Sequence, residues 1–402
     1  MQENLDIPSL LNNYRSGWSL DQQFYTDPEI YDLELDRIIT RNWILAGHVS
    51  QLPNIGDYFV FNVATESAII VKGKDGNIKA FANVCRHRGS LICLESNGNS
   101  NKFVCPYHGW VYDHDGSLLA ARSMPEDFSK EDHGLHPVSI EILGGLIFVC
   151  FCDSPPSLSD AKRDLAKPFE WMEFDNLKVA AEKTYPIPAN WKLAIENYQE
   201  CYHCATAHPE YSEMHTRKFD PDRRDRMQSD MQSKMVDCGL ENLEIDFIDT
   251  WAKPGQQGYG YERMALIKGY ETGSRNGKPL APLLGKLTGF DGGASDFVIG
   301  PFTFLLAYSD HLVAYVFSPV DRENCTCKIF WLVRGDAIEG SDYNVDELTW
   351  LWDITTQADE KIIVNNWKGV CSRYYKPGPF SKMETMEQRY IDWLVQQLSE
   401  AP

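Results

Sequence analysis

Two short pairs constrain this chain of 402 residues most: Cys85-Arg-His87 and, 17 residues later, Cys105-Pro-Tyr-His108. Each pair puts one thiolate donor and one imidazole donor on its own loop. Zinc accepts Cys₂His₂, but zinc fingers keep the two sulfurs in one pair and the two nitrogens in the other. One Cys and one His per loop suits a two-iron cluster instead, with both cysteines on one iron and both histidines on the other. Imidazoles in place of two thiolates raise the reduction potential, which fits an intermediate electron acceptor. Gly89 and Gly109 follow the pairs, where tight turns can aim backbone N–H groups at the sulfurs. Pro106 and Trp110 would stiffen and shield the second loop. Cys93, between the loops, reads as a buried small side chain.

A second group of donors follows in Glu196-Asn-Tyr-Gln-Glu200-Cys-Tyr-His203-Cys-Ala-Thr-Ala-His208-Pro. Trp191 to about Ala207 reads as a helix with Asn190 as N-cap. Positions i and i+5 lie about 140° apart on a regular helix. His203 and His208 can therefore aim at one metal only if the helix ends between them or carries a π-type irregularity. Pro209 favours an ending, and π-bulges gather at functional sites. Taken alone, His-x₄-His is a weak signal. Cys201-Tyr-His-Cys204 is a C-x-x-C, but no thioredoxin-like βαβ pattern surrounds it, so packing is the expected role.

The chain divides into three parts: a helical lead 1–42, a β block 43–152 and a mixed region 153–402. A helix is expected over Asp27–Asn42. Lys74-Asp-Gly-Asn and Asp113-His-Asp-Gly-Ser read as hairpin turns, and Gly144–Phe151 as a buried strand. Cys152-Asp-Ser-Pro-Pro-Ser is the linker. Residues 212–245 are charge-rich and read as a loop or flap. Strands are expected at Phe302–Tyr308, His311–Pro319 and Thr326–Arg334. Helices are expected over Asn344–Gly369 and Met386–Leu398.

Cys85-Arg-His-Arg-Gly … Cys105-Pro-Tyr-His-Gly-Trp resembles the Rieske motif. Asn197-Tyr-x-Glu200-x-Tyr202-His203-x₄-His208-Pro resembles the catalytic iron motif of Rieske non-haem iron oxygenases. The resemblance runs to Gly369-Val-x-Ser-Arg-Tyr-Tyr-x-Pro-Gly-Pro-Phe-Ser-x-x-Glu. It implies an α+β chain: an N-terminal all-β Rieske 2Fe–2S domain and a C-terminal helix-grip domain, an antiparallel sheet on a long helix. The implied cluster ligands are Cys85, His87, Cys105 and His108. The implied mononuclear Fe(II) ligands are His203, His208 and a carboxylate in a late helix. The spacing to Gly369 selects Asp359. Glu360, about 100° away on the helix, is the alternative. Ala358 stands where many members carry an acid.

At the position of Glu200 the family carries a carboxylate that bridges the two metal centres across a subunit interface. Glutamate there resembles the branch acting on glycine betaine, carnitine, stachydrine and choline. The resemblance thus implies a homotrimer, O₂ as co-substrate and a separate NAD(P)H-dependent flavin/iron–sulfur reductase. It also implies a quaternary ammonium compound that is hydroxylated and N-demethylated. Such a cation wants aromatic faces. Tyr198 is the cage candidate, among Trp251, Tyr259, Tyr261, Phe302, Phe304, Tyr308 and Tyr315, most of which should be core. A ring-hydroxylating oxygenase of an apolar substrate and a pure Rieske electron carrier are the alternatives. A carrier has no use for His203, His208 and Asp359.

The 38 basic and 58 acidic side chains give a net charge of −20. Nucleic acid and anionic membranes both need a positive surface, so neither is an expected partner. No apolar stretch is long enough for a membrane span, and Met1 to Arg15 lacks the apolar core of a signal peptide. A cytoplasmic chain is expected. In that compartment disulfides are rare, so the 11 cysteines should be ligands or core.

Overall fold

The computed structural model describes residues 5–216, 221–239, 248–250 and 256–400. Its largest element is a seven-stranded antiparallel sheet. The strand order is Leu177–Ile187, Cys325–Arg334, Leu312–Pro319, Thr303–Ala307, Gly293–Ile299, Tyr259–Ala265 and Ile248–Thr250. Cys325–Arg334, Leu312–Pro319 and Thr303–Ala307 are rich in β-branched and aromatic residues and mostly buried, the last two wholly. They lie within one residue of their expected positions.

The helix Val345–Val370 grips one face of this sheet. Asn344 caps it by accepting from the N–H of Glu347 at 3.1 Å. Its buried positions Leu348, Leu351, Trp352, Thr355, Thr356 and Ile363 form the stripe a core-facing helix requires. Tyr315 and Thr356 hydroxyls meet at 2.9 Å across the contact. The helix Thr385–Ser399 closes the chain.

The N-terminal lead lies against this same layer. Asp27 caps Pro28–Glu34, which continues as a π-helical turn, Leu35–Ile39, so the expected helix to Asn42 stops short. Glu34 is fully buried and takes Lys192 Nζ at 2.6 Å and Trp191 Nε1 at 2.8 Å. Removing either charge would strand the other in the core, which costs about 3–5 kcal/mol. Tyr25 donates to both oxygens of the buried Glu196 at 3.0 and 3.1 Å.

The β block holds three small sheets. One orders Ile44–His48, Leu146–Cys150 and Ser139–Leu143. A second orders Ile78–Ala82, Glu66–Lys72, Asp57–Val63 and Asn97–Asn99, and a third Phe103–Val104, Val111–Tyr112 and Leu118–Ala120. Both expected hairpin turns are present, with Gly76 and Gly116 at positive φ. Gly144 and Gly145, expected in a strand, instead make the turn of a hairpin, both at positive φ. A second apolar cluster, including Phe81, Trp110, Tyr112 and Leu118, fills this block.

Among the described residues of 212–245 the expected loop is absent, and residues 217–220 lie outside the described set. Pro209–Met214 and Pro221–Asp237 are helices, and residues 240–245 lie outside the described set. Met231 and Met235 bury one narrow face of the longer helix. Gln228 binds the backbone of Arg263 and Ala265 at 2.7 and 3.0 Å, tying the helix to the strand.

Candidate active site

The two Cys–His loops are near copies of one another. Gly89 N–H donates to Cys85 O and Gly109 N–H to Cys105 O, both at 3.0 Å. Cys85 N–H and Cys105 N–H each close their loop at 2.8 Å, on Ser90 O and Trp110 O. Gly89 and Gly109 have φ of +77° and +70°, where a side chain would be strained. Both cysteines are buried and unpaired, while His108 is exposed and His87 half-buried. The Nδ1 atoms of His87 and His108 lie 3.1 Å apart, with the rings edge to face. The Tyr112 hydroxyl sits 3.4 Å from Cys85 Sγ, and Trp110 stacks on His87 at 4.8 Å. Two sulfurs inside and two imidazole nitrogens converging at the surface fit a Rieske cluster, one iron to each side.

The helix expected to run to Ala207 ends at Gln199. Glu200 turns extended at φ −123°, and the helical turn Cys204–Ala207 begins after His203. His208 then occupies the N-cap position of Pro209–Met214, its side chain making no capping bond. The ending, not a π-bulge, solves the aiming problem. Each histidine sits at a helix end, and their rings stand 5.1 Å apart at 81°.

Asp359 faces them from the long helix. His203, His208 and Asp359 present three ligand atoms within 4.8 Å of one another. Glu360 is not part of this group. His208 Nε2 and Asp359 Oδ1 are 2.7 Å apart, yet both are buried without a hydrogen bond. Two orphaned polar atoms converging on one point fit a cation between them. Two imidazoles and one carboxylate, with the remaining directions open, fit a mononuclear Fe(II).

Glu200 fixes the tautomer of His203. Its Oε1 accepts from His203 Nδ1–H at 2.5 Å, which leaves the Nε2 lone pair for a metal. Its Oε2 accepts from the backbone N–H groups of Tyr202 and His203. Burial opposes charging His203, but Asp359 and Glu200 outweigh it and push its pKa up to about 9. Asn197 Nδ2 stands 3.5 Å from His203 Nε2.

These groups line one cavity between the helix and the sheet. Tyr198 is in its wall, packed on Phe304 at 4.3 Å and Tyr315 at 5.1 Å. Of the other aromatics singled out in the sequence, Tyr261 and Phe304 line the cavity. Tyr259, Phe302, Tyr308 and Tyr315 are buried core, and Trp251 lies outside the described residues. Sequence reasoning missed Tyr211 and Trp352, and also Glu262 and Asp296. The last two are direct partners across adjacent strands. It also missed the Cys201–Cys204 disulfide, which replaces the expected packing role.

Among the described residues no helix is long and apolar enough to cross a membrane. The family model for the ring hydroxylating alpha subunit (catalytic domain) matches residues 174–400, and that for the Rieske [2Fe-2S] domain matches 42–138. The glycine betaine monooxygenase oxygenase subunit of Chromohalobacter salexigens is 35% identical over 397 residues, covering 96% of this chain and 86% of that protein. The carnitine monooxygenase oxygenase subunit of Escherichia coli K12 is 36% identical over 205 residues, covering 50% and 55%. The fold superposes on the quaternary ammonium Rieske monooxygenase CntA bound to L-carnitine with a TM-score of 0.72 at 23% identity, covering 98% of this chain and 99% of that one. Naphthalene 1,2-dioxygenase from Rhodococcus sp. gives 0.66 at 21%, with both chains fully covered. Two converging donor sets, both domain models and relatives matched nearly end to end lead to one conclusion: this chain belongs to the Rieske non-haem iron oxygenases, as an oxygenase alpha subunit.

Proposed function

We propose that this chain is the terminal oxygenase of a multicomponent monooxygenase that hydroxylates, and so N-demethylates, a quaternary ammonium compound of the glycine betaine type. The observation that carries this reading is the cavity beside the triad. Its wall combines the aromatic faces of Tyr198, Phe304 and Trp352 with the carboxylates of Glu262 and Asp296. Aromatic faces and negative charge together favour a desolvated organic cation. Curated relatives carrying glycine betaine and carnitine in their names support the same substrate class.

In this reading Cys85, His87, Cys105 and His108 hold the cluster, and His203, His208 and Asp359 hold the iron. The bound groups supply one-electron storage and O₂ activation. Glu200 holds His203 in the metal-binding tautomer and bridges to the cluster of a neighbouring subunit in a homotrimer. Val298, Phe304 and Leu306, on the sheet face that Glu262 and Asp296 share, keep the cavity dry around the methyl group to be attacked. Tyr198 offers its face to the trimethylammonium head. Electrons come from a separate NAD(P)H-dependent flavin/iron–sulfur reductase, in the cytoplasm. The lead 1–42, Rieske domain 43–152 and catalytic domain 153–402 are the working parts.

The test is NADH-dependent O₂ uptake with formaldehyde release by the iron-loaded chain and a surrogate reductase. Formaldehyde should track one methylammonium compound among betaine, carnitine, choline and stachydrine. Uptake with arenes alone would overturn the substrate class.

A further inference from the structure

Cys201 and Cys204 are joined by a disulfide, with Tyr202 and His203 inside the ring it closes. Nine other cysteines are free, and Cys150 and Cys152 remain unbonded with their sulfurs 3.4 Å apart. Glu200, which fixes the His203 tautomer, immediately precedes the ring. Both sulfur-bearing residues line the cavity that also holds His203, His208 and Asp359. Cys201 is the more open of the two, and Cys204 is buried.

From this placement we infer that Cys201 and Cys204 form a peroxide-responsive dithiol/disulfide couple that sets how firmly the loop Glu200–Cys204 holds the mononuclear iron. The inference rests on reading His203 as an iron ligand.

A reducing compartment keeps such a pair as thiols. An O₂-activating centre that fails to couple to substrate releases hydrogen peroxide into this same cavity, where these thiols are in the wall. The Cys201 thiol attacks peroxide, so that an S–O bond forms, the O–O bond breaks and water leaves. The Cys204 thiol then attacks the sulfenic sulfur; an S–S bond forms and a second water leaves. Two thiols and one peroxide become one disulfide and two waters, with two electrons passing from sulfur to oxygen. A dithiol reductant reverses the step by thiol–disulfide exchange.

Closing the ring removes freedom from the backbone that carries His203, whose other anchor is Glu200. The disulfide form is thus the better organised metal site. The couple acts as a latch that retains iron when turnover becomes oxidising.

The experiment compares two redox states of the same full-length holoenzyme. One portion is treated with a phosphine reductant, the other with stoichiometric hydrogen peroxide. Mass spectrometry after thiol alkylation reads the Cys201–Cys204 bond. Release of iron to a chromophoric chelator reads the site, and the visible spectrum of the Rieske cluster confirms that the cluster has survived. The expected result is reversible closure of this bond, with iron release slowed by roughly tenfold in the closed state. Cys204→Ser should release iron at the reduced rate in both conditions. Thiols that stay unpaired under peroxide, or a bond that forms without changing release, would overturn the inference alone. A chain that retains no mononuclear iron in either state would overturn the iron reading and this inference with it.

Discussion

Asp359 Oδ1 stands 2.7 Å from His208 Nε2 without a hydrogen bond between them, although both atoms are buried. An arrangement of that kind is stable when a cation lies between the two. Asp359→Ala should therefore remove the mononuclear iron and leave the Rieske cluster in place. Metal analysis together with the visible cluster spectrum checks this. Loss of the cluster, or full retention of the third iron, would contradict it.

Glu200→Gln keeps a side chain of the same shape but cannot accept as a carboxylate does. The variant should keep both metals and lose turnover by about 10–100-fold, the usual scale for a group that orients a metal-bound imidazole. The reduced cluster should also discharge more slowly in stopped-flow absorbance. An unchanged discharge rate would assign Glu200 a purely local role.

The cavity wall makes a prediction about charge. Tyr198→Ala and the double variant Glu262→Gln/Asp296→Asn should each weaken binding of a trimethylammonium substrate by roughly 0.5–2 kcal/mol. A neutral analogue with a tert-butyl group in place of trimethylammonium should bind wild type and double variant alike. Calorimetric titration of both compounds separates the outcomes. Equal losses for the two would mean that shape, not charge, was altered.

Glu387 predicts a pH dependence of stability. Burial raises its pKa to about 10, with Glu196, Glu384 and Glu200 adding repulsion. In the unfolded chain the group ionises near the usual glutamate value of about 4.3. Between those values the folded chain binds a proton that the unfolded chain has released. Its contribution is full below the unfolded value and is lost as pH rises toward 10. Glu387→Gln should raise Tm relative to wild type at pH ~9, with the difference shrinking towards pH ~5. Thermal denaturation at both pH values is the measurement.

The candidate donor groups were legible because ligands must be particular residue types at particular spacings. Cys85, His87, Cys105 and His108 come together from two loops, as their pairing suggested. The late strands and long helix were legible from plain periodicity. Less could be read where side-chain or tertiary contacts decide. No Gly or Pro marks the helix end at Gln199; the carboxylate of Glu200 sets it by accepting from Tyr202 N–H and His203 Nδ1–H, a local contact that residue type alone does not announce. Pro221–Asp237 hid its single apolar stripe, Met227, Met231 and Met235, among charges, although the four-residue spacing was there to be read. Glu262 and Asp296 belong to one wall only because two strands pair in one register, which no short-range pattern reveals.

The single turn Cys204–Ala207 has a cavity-lining histidine at either end. One residue more or less there would rotate His208 by about 100° and carry its ring away from Asp359. Past Cys204, the side chains of that turn are therefore far less constrained by the site than their number is. In this stretch of the chain, length is the constraint.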